Sequence, residues 1–181
     1  MTLNLANILT MARLVLLPFI LILICLNYHW AAWAALTLYI VAAITDWLDG
    51  FVARRFNQTT DFGRFLDPIA DKIFVACIMV MLVAMDRIYG LHVLAVLAIL
   101  TRELAVSGLR EYLGPKNIVI HVSQLAKWKT AIQFVATGLL LLGPINMYLS
   151  IAGLLCLWAA AILTVITGAQ YMREGVKYFD K

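Results

Sequence analysis

The chain has 181 residues, 64% of them hydrophobic and 13% charged, with a mean hydropathy of +0.93. Soluble domains average about 45–50% apolar and about 25% charged residues, so this composition excludes a water-soluble globule and points to a polytopic membrane protein. The formal charge is +4; in such a protein the placement of charge matters more than its sum, and no nucleic-acid partner is expected.

At about 20 residues per span the length allows six helices and leaves nothing for a soluble domain. Uncharged stretches run over 14–45, 73–85, 88–101 and 130–172. The first is broken by Asn27-Tyr28-His29 and the last by Gly143-Pro144-Ile145-Asn146, a stop followed by a restart. The expected elements are therefore helices at roughly 8–27, 31–54, 63–85, 89–112, 124–142 and 147–171. Together they predict an all-α, six-transmembrane-helix bundle forming one domain over residues 1–181.

Arg54, Arg55 and Arg64 fall between the second and third helices. Arg110, Lys116, Lys127 and Lys129 surround the next connection on the same side, and Arg173, Lys177 and Lys181 follow the last helix. The opposite loops carry only Arg87. By the positive-inside rule both termini are cytoplasmic. Arg13 and the apolar run after it imitate a signal peptide, but further membrane helices follow, so a retained first span is expected.

Cys25, Cys77 and Cys156 lie far apart in apolar runs, which argues against a disulfide framework or a zinc site. His29, His92 and His121 are isolated and form no metal-ligand pair. Ala159, Ala160, Ala161 and Trp158 suit either packing within the bundle or a dimer face.

The acidic residues are the informative ones. The apolar part of the second helix before Asp46, and that of the third after Lys72, are each too short to span alone. Those helices must therefore take in Asp46 and Asp49 at the end of one, and Asp67 and Asp71 at the start of the other. A bare charge at the bilayer centre costs about 2.5–3.5 kcal/mol, so such a cluster marks a functional site by default. An N-cap role for Asp67, with Pro68 at the first helical position, is the plainer alternative for that residue. Asp46, Asp49, Gly50, Ala53 and Arg54 share one helix face, and Gly63, Asp67 and Asp71 another. Paired carboxylates on adjoining helices suit hard divalent cations, and two such ions can clamp the attacking and leaving oxygens of a phosphoryl displacement.

The run Asp46-Trp47-Leu48-Asp49-Gly50-Phe51-Val52-Ala53-Arg54, then eight residues to Gly63, three to Asp67 and three to Asp71, resembles the signature of the CDP-alcohol phosphatidyltransferases. Arg102-Glu103, Ser107 to Glu111, Lys127 to Thr130 and the stretch Phe62 to Lys72 look most like the branch that makes phosphatidylglycerophosphate. The resemblance implies transfer of a phosphatidyl group from CDP-diacylglycerol to glycerol 3-phosphate with release of CMP. Sister enzymes use inositol or its phosphate, serine or phosphatidylglycerol as acceptor. It implies Mg²⁺ or Mn²⁺, two ions, on Asp46, Asp49, Asp67 and Asp71, with Asp71 also the general base. Gly50, Ala53, Arg54 and Gly63 would receive CDP-diacylglycerol, joined by Asn7, Thr10 and Arg13 on the first helix. For Arg13, an interfacial snorkeling anchor is the competing role.

Arg102, Ser107 and Arg110, with Lys127, Lys129 and Thr130, form the expected acceptor site, because a basic pocket suits an acceptor that carries phosphate. Lys127 and Lys129 differ by about 200° around a helix, so only one can face that pocket. A homodimer in the bacterial inner membrane, with its active site toward the cytoplasm, completes the expectation. A cation transporter would instead place its acids near the midplane on broken helices.

Overall fold

The computed structural model describes residues 5–56, 61–114, 118 and 124–179, with side chains at all of these except 5–9, 46–56, 61–65 and 67. Six α-helices make up the described chain: α1 Leu5–Leu26, α2 His29–Phe56, α3 Asp61–Ala84, α4 Val93–Leu113, α5 Gln124–Leu141 and α6 Met147–Val176. A short 3₁₀ turn, Gly90–His92, leads into α4. The described elements are all helical, and their order and number match the sequence expectation.

The second and third helices extend as expected at the two places where it mattered. α2 runs unbroken through Asp46 and Asp49 to Phe56, and α3 starts at Asp61 and passes through Asp67 and Asp71. Pro68 therefore lies inside α3, two turns past its start, which corrects the N-cap reading of Asp67. At that depth proline removes an intrahelical hydrogen bond, and its ring crowds the carbonyl of Arg64.

The helix ends on the side opposite the acids are built tightly. Asn27 takes a left-handed conformation (φ 50°) directly after α1, a place where asparagine is tolerated. After α3 the amide of Asp86 (φ 54°) donates to Val83 O at 3.1 Å, and that of Arg87 to Leu82 O at 2.9 Å. These two bonds form a Schellman closure. It aims Arg87 back into the protein, where Nη2 donates to Ile24 O at 2.9 Å and Nη1 to Leu141 O at 3.0 Å. The one basic residue that breaks the charge asymmetry thus neutralises carbonyls at the C-terminal ends of α1 and α5.

The chain forms two compact units, residues 1–87 with 141–147, and 88–140 with 148–181. In the first, α1 buries Thr10, Arg13, Leu17, Ile20 and Ile24, a three–four spacing that makes one seam along the helix. α2 answers with small residues, Ala31, Ala32, Ala35 and Ala42, which let the backbones approach. Tyr39 of α2 stacks on Phe74 of α3 with centroids 5.9 Å apart. Val15, Phe19 and Ile22 on the far side of α1 are exposed, so the helix is apolar all round.

In the second unit, small residues of α6 recur at seven- or eight-residue steps, Gly153, Ala160, Gly168 and Gly175. A Cβ on Gly153 would come within 2.8 Å of Leu140, and one on Gly175 within 2.3 Å of Leu109. Ala160 and Ala161 are buried within this unit, while Trp158 Nε1 donates to His92 Nδ1 at 3.0 Å. Val106, Leu109, Leu113 and Tyr171 close the far end, where Tyr112 stacks on Phe179. Among the described residues two helical segments, Gly90–Leu113 and Met147–Val176, are long and apolar enough to cross a membrane, and only 22% and 28% of their most apolar windows are buried.

Arg87→Ala should remove two charge-assisted bonds and lower unfolding stability by about 2–4 kcal/mol. Arg87→Lys should recover part of that loss, because a single ammonium lacks the planar fork that serves two carbonyls. Thermal unfolding of the detergent-solubilised protein measures both; equal midpoints for parent and Arg87→Ala would show that the contact contributes nothing.

Candidate active site

The first unit carries the acid-bearing helices. Side chains of Asn7, Asp46, Asp49, Gly50, Ala53, Arg54, Gly63 and Asp67 lie outside the described residues, and only their places on α1, α2 and α3 are fixed. Helical backbone through those places keeps the i, i+3, i+4 registers that put the acids of each helix on one face.

The described members of this set come together. Thr10 and Arg13 sit one turn apart on the buried seam of α1. Arg13 is 4% exposed, and its Nη1 donates to Oδ1 of Asp71 on α3, whose side chain is 51% exposed. A guanidinium buried in this way does not snorkel to a membrane boundary; it is anchored on the carboxylate expected to do the chemistry. The open side of Asp71 leaves that carboxylate reachable by a ligand. Lys72, next along the chain, turns instead to Pro68 O at 3.2 Å, within its own helix.

The second unit holds a separate charged cluster. Glu103 of α4 accepts on Oε1 from Lys129 Nζ of α5 and from Arg102 Nη1 at 3.1 Å. Arg102 Nη2 lies 3.3 Å from Thr167 Oγ1 of α6, and the arginine stem rests on Gly168, where a Cβ would meet Arg102 Cγ at 2.6 Å. One carboxylate thus bridges two cations, and its contacts together with those of Arg102 tie α4 to both α5 and α6. Gln133 and Thr137 continue the buried polar row of α5 beyond Lys129, and Thr164 that of α6 beyond Thr167.

The ambiguity between the two lysines is resolved by this cluster. Lys129 is buried and points to Glu103, while Lys127 is exposed. Of the other acceptor candidates, Arg102 belongs to the cluster, Ser107 is half-buried, and Arg110 and Thr130 are exposed. The Thr130 hydroxyl donates to Ala126 O at 3.1 Å within its own helix. Thr167 and Gly168 were not foreseen beside Arg102, and no partner was foreseen for Glu103, noted only within the Arg102-Glu103 motif. Thr164, Thr167 and Gly168, set within the long apolar part of α6, were the available signal for that side. Nothing in the spacing links Glu103 to Lys129, 26 residues away on another helix. Among the described residues no group of three or more histidine, cysteine or acidic side chains is placed to hold a metal ion.

Gly168→Ala should destabilise the protein by about 1–3 kcal/mol, since the added methyl must displace the Arg102 stem from a packed helix face. Gly108→Ala on α4 is the matched control: its Cβ meets nothing within 4 Å, and alanine is the better helix former by about 1 kcal/mol. Thermal midpoints should move in opposite directions, and a Gly168→Ala protein as stable as the parent would show that the contact has slack.

The chain matches the family model described as CDP-alcohol phosphatidyltransferase over residues 3–166. It is 42% identical to a CDP-diacylglycerol–glycerol-3-phosphate 3-phosphatidyltransferase of Rickettsia felis over 179 residues, 97% of each chain. Relatives of the same name from Escherichia coli K12 (39% identical, 95% of this chain and 94% of the relative) and Cereibacter sphaeroides (38%, 97% and 96%) are similar over comparable lengths. A match of that extent, through both units and across the acid-bearing motif, establishes that the chain belongs to the CDP-alcohol phosphatidyltransferase family.

Proposed function

We propose that this protein transfers the phosphatidyl group of CDP-diacylglycerol to sn-glycerol 3-phosphate, forming phosphatidylglycerophosphate and releasing CMP. The observation that carries the reading is the 38–42% identity, over nearly the full chain, to proteins bearing the name of that activity. The cluster in the second unit supports the choice of acceptor. Lys129 and Arg102 present two cations from neighbouring helices, an arrangement that suits a phosphate monoester and that a neutral alcohol would not need.

Six membrane spans with both termini in the cytoplasm fit the apolar, outward-facing surfaces of the helices and the basic residues gathered at one set of connections. In a bacterial cell this places the acidic ends of α2 and α3 at the inner face of the cytoplasmic membrane, where CDP-diacylglycerol and a water-soluble acceptor meet.

In the reaction the acceptor hydroxyl oxygen bonds to the phosphorus that bears the diacylglycerol. The bond from that phosphorus to the bridging oxygen breaks, and CMP leaves with the electron pair. Asp71 takes the hydroxyl proton, and Arg13 holds the Asp71 carboxylate in position. Arg54 supplies a planar fork for a diphosphate oxygen, while Gly50 and Ala53 keep the helix surface low for the nucleotide. The donor set at Asp46, Asp49, Asp67 and Asp71 is all carboxylate oxygen, carried on two unbroken helices, and this chemistry fits Mg²⁺ or Mn²⁺. Divalent ions held there would offset the charge of the diphosphate and of the departing CMP. Lys129 and Arg102 bind the acceptor phosphate, with Ser107 and Arg110 further along α4.

CMP release by the purified protein, measured across a panel of acceptors, tests the proposal. Glycerol 3-phosphate should be used in strong preference to glycerol, serine and inositol, and EDTA should abolish turnover. Asp71→Asn should reduce kcat by orders of magnitude while leaving the apparent affinity for CDP-diacylglycerol within several-fold of the parent. Preference for an uncharged acceptor would reassign the enzyme within its family; full activity after chelation would remove the carboxylate–metal mechanism.

A further inference from the structure

The Arg102–Glu103–Lys129 cluster is unbalanced. Among the described residues two cations share one carboxylate, a net charge of +1, in a part of the protein largely closed to solvent. Among the described residues the buried Nε of Arg102 has no acceptor. An uncompensated buried positive charge with an unused N–H is expensive, and both defects are cured by one anion. The members also differ in their freedom. The side chains of Lys129 and Arg102 are 6% and 15% exposed, and the Arg102 stem is packed on Gly168. Glu103, at 26%, is the most exposed of the three, and a single oxygen, Oε1, makes both of its cation contacts. The cations are fixed by packing, and the anion stands on the open side.

We propose that Glu103 is an exchangeable counter-anion that occupies the place of a phosphate oxygen between Lys129 and Arg102 and yields it when a phosphate monoester arrives. This rests on the acceptor assignment above and adds a residue that governs how tightly the acceptor is held. A dianionic phosphate brings more charge than the carboxylate and more oxygens, enough to bridge both cations and reach the Arg102 Nε. Glu103 swings aside as it enters and returns as the phosphorylated product leaves. The carboxylate therefore weakens acceptor binding while the site is empty and speeds release of the product, which carries the same phosphate.

The test is Glu103→Gln, which keeps the shape and removes the charge. Its KM for glycerol 3-phosphate and its kcat should both fall, each by about three- to tenfold, while the KM for CDP-diacylglycerol stays at the parent value. A residue that merely anchors Lys129 would give a raised KM instead. That result, or unchanged constants, overturns the proposal. Inorganic phosphate provides a readout independent of turnover: the concentration that half-maximally raises the thermal midpoint should be about tenfold lower for Glu103→Gln than for the parent, with no such stabilisation in Lys129→Ala. Should Glu103→Gln fail to fold, Glu103→Asp, which withdraws the oxygen by one methylene, should shift that concentration in the same direction. Phosphate that stabilises neither protein overturns the exchange. A parent that binds phosphate with the Glu103 dependence but does not use glycerol 3-phosphate overturns only the acceptor assignment. Vesicles of phosphatidylcholine with and without phosphatidic acid separate a lipid phosphate from a soluble one; the effect of inorganic phosphate must persist without phosphatidic acid, and its disappearance would count against the proposal.

Discussion

An ionised side chain enclosed by apolar helices has to find an opposite charge or the carbonyl end of a helix, and the functional layout of this protein follows from where those matches are made. The cost of an unmatched buried charge is several kcal/mol, a large fraction of the stability of any fold. Three solutions coexist among the described residues. Arg13 is matched by Asp71, Arg87 by the terminal carbonyls of α1 and α5, and Lys129 with Arg102 by Glu103. Arg87 is held by backbone carbonyls through both Nη atoms and serves the fold. The other two use carboxylates that remain partly exposed, and it is there that the proposed ligands would compete.

That difference separates architecture from chemistry. Backbone carbonyls at a helix end cannot be moved aside without unwinding the helix, so the Arg87 contact persists through any reaction. A side-chain carboxylate needs only a rotamer change to release its partner. In the first unit the small residues of α2 and the seam of α1 provide a rigid frame for α3, so that Asp71 is held by Arg13 at a constant place. In the second unit, glycines on α6 bring that helix close enough for Thr167 to meet Arg102. The small residues are thus what allow the long cationic side chains to be packed and aimed.

Much of this was legible in the amino-acid order. Six helices followed from uncharged run lengths and two loop signals, and the observed ends fall within a few residues of the expected ones because caps and turns, as at Asn27, are local features. That α2 and α3 carry the acids was forced by span length alone. Asp67-Pro68 read alone resembles a helix start, but the length of the third helix required an earlier beginning, and α3 accommodates the proline in its interior. The matching of charges was the least legible part. Arg13 with Asp71 and Lys129 with Glu103 are contacts over 58 and 26 residues, set by how helices pack. Helical geometry said that only one of Lys127 and Lys129 could turn inward; which one was decided by a glutamate that no periodicity linked to it.

We propose that acceptor choice is made by the charges of the second unit, with donor chemistry left to the first. The most direct test is the ratio of kcat/KM for glycerol 3-phosphate to that for glycerol, in the parent and in Lys129→Met, which keeps an unbranched side chain one atom shorter and removes the charge. The ratio should fall by about ten- to a hundredfold, the worth of one charge-assisted phosphate contact, while the KM for CDP-diacylglycerol stays unchanged. If both acceptors lose activity equally and the ratio stands, Lys129 only supports the fold, and the phosphate is recognised elsewhere.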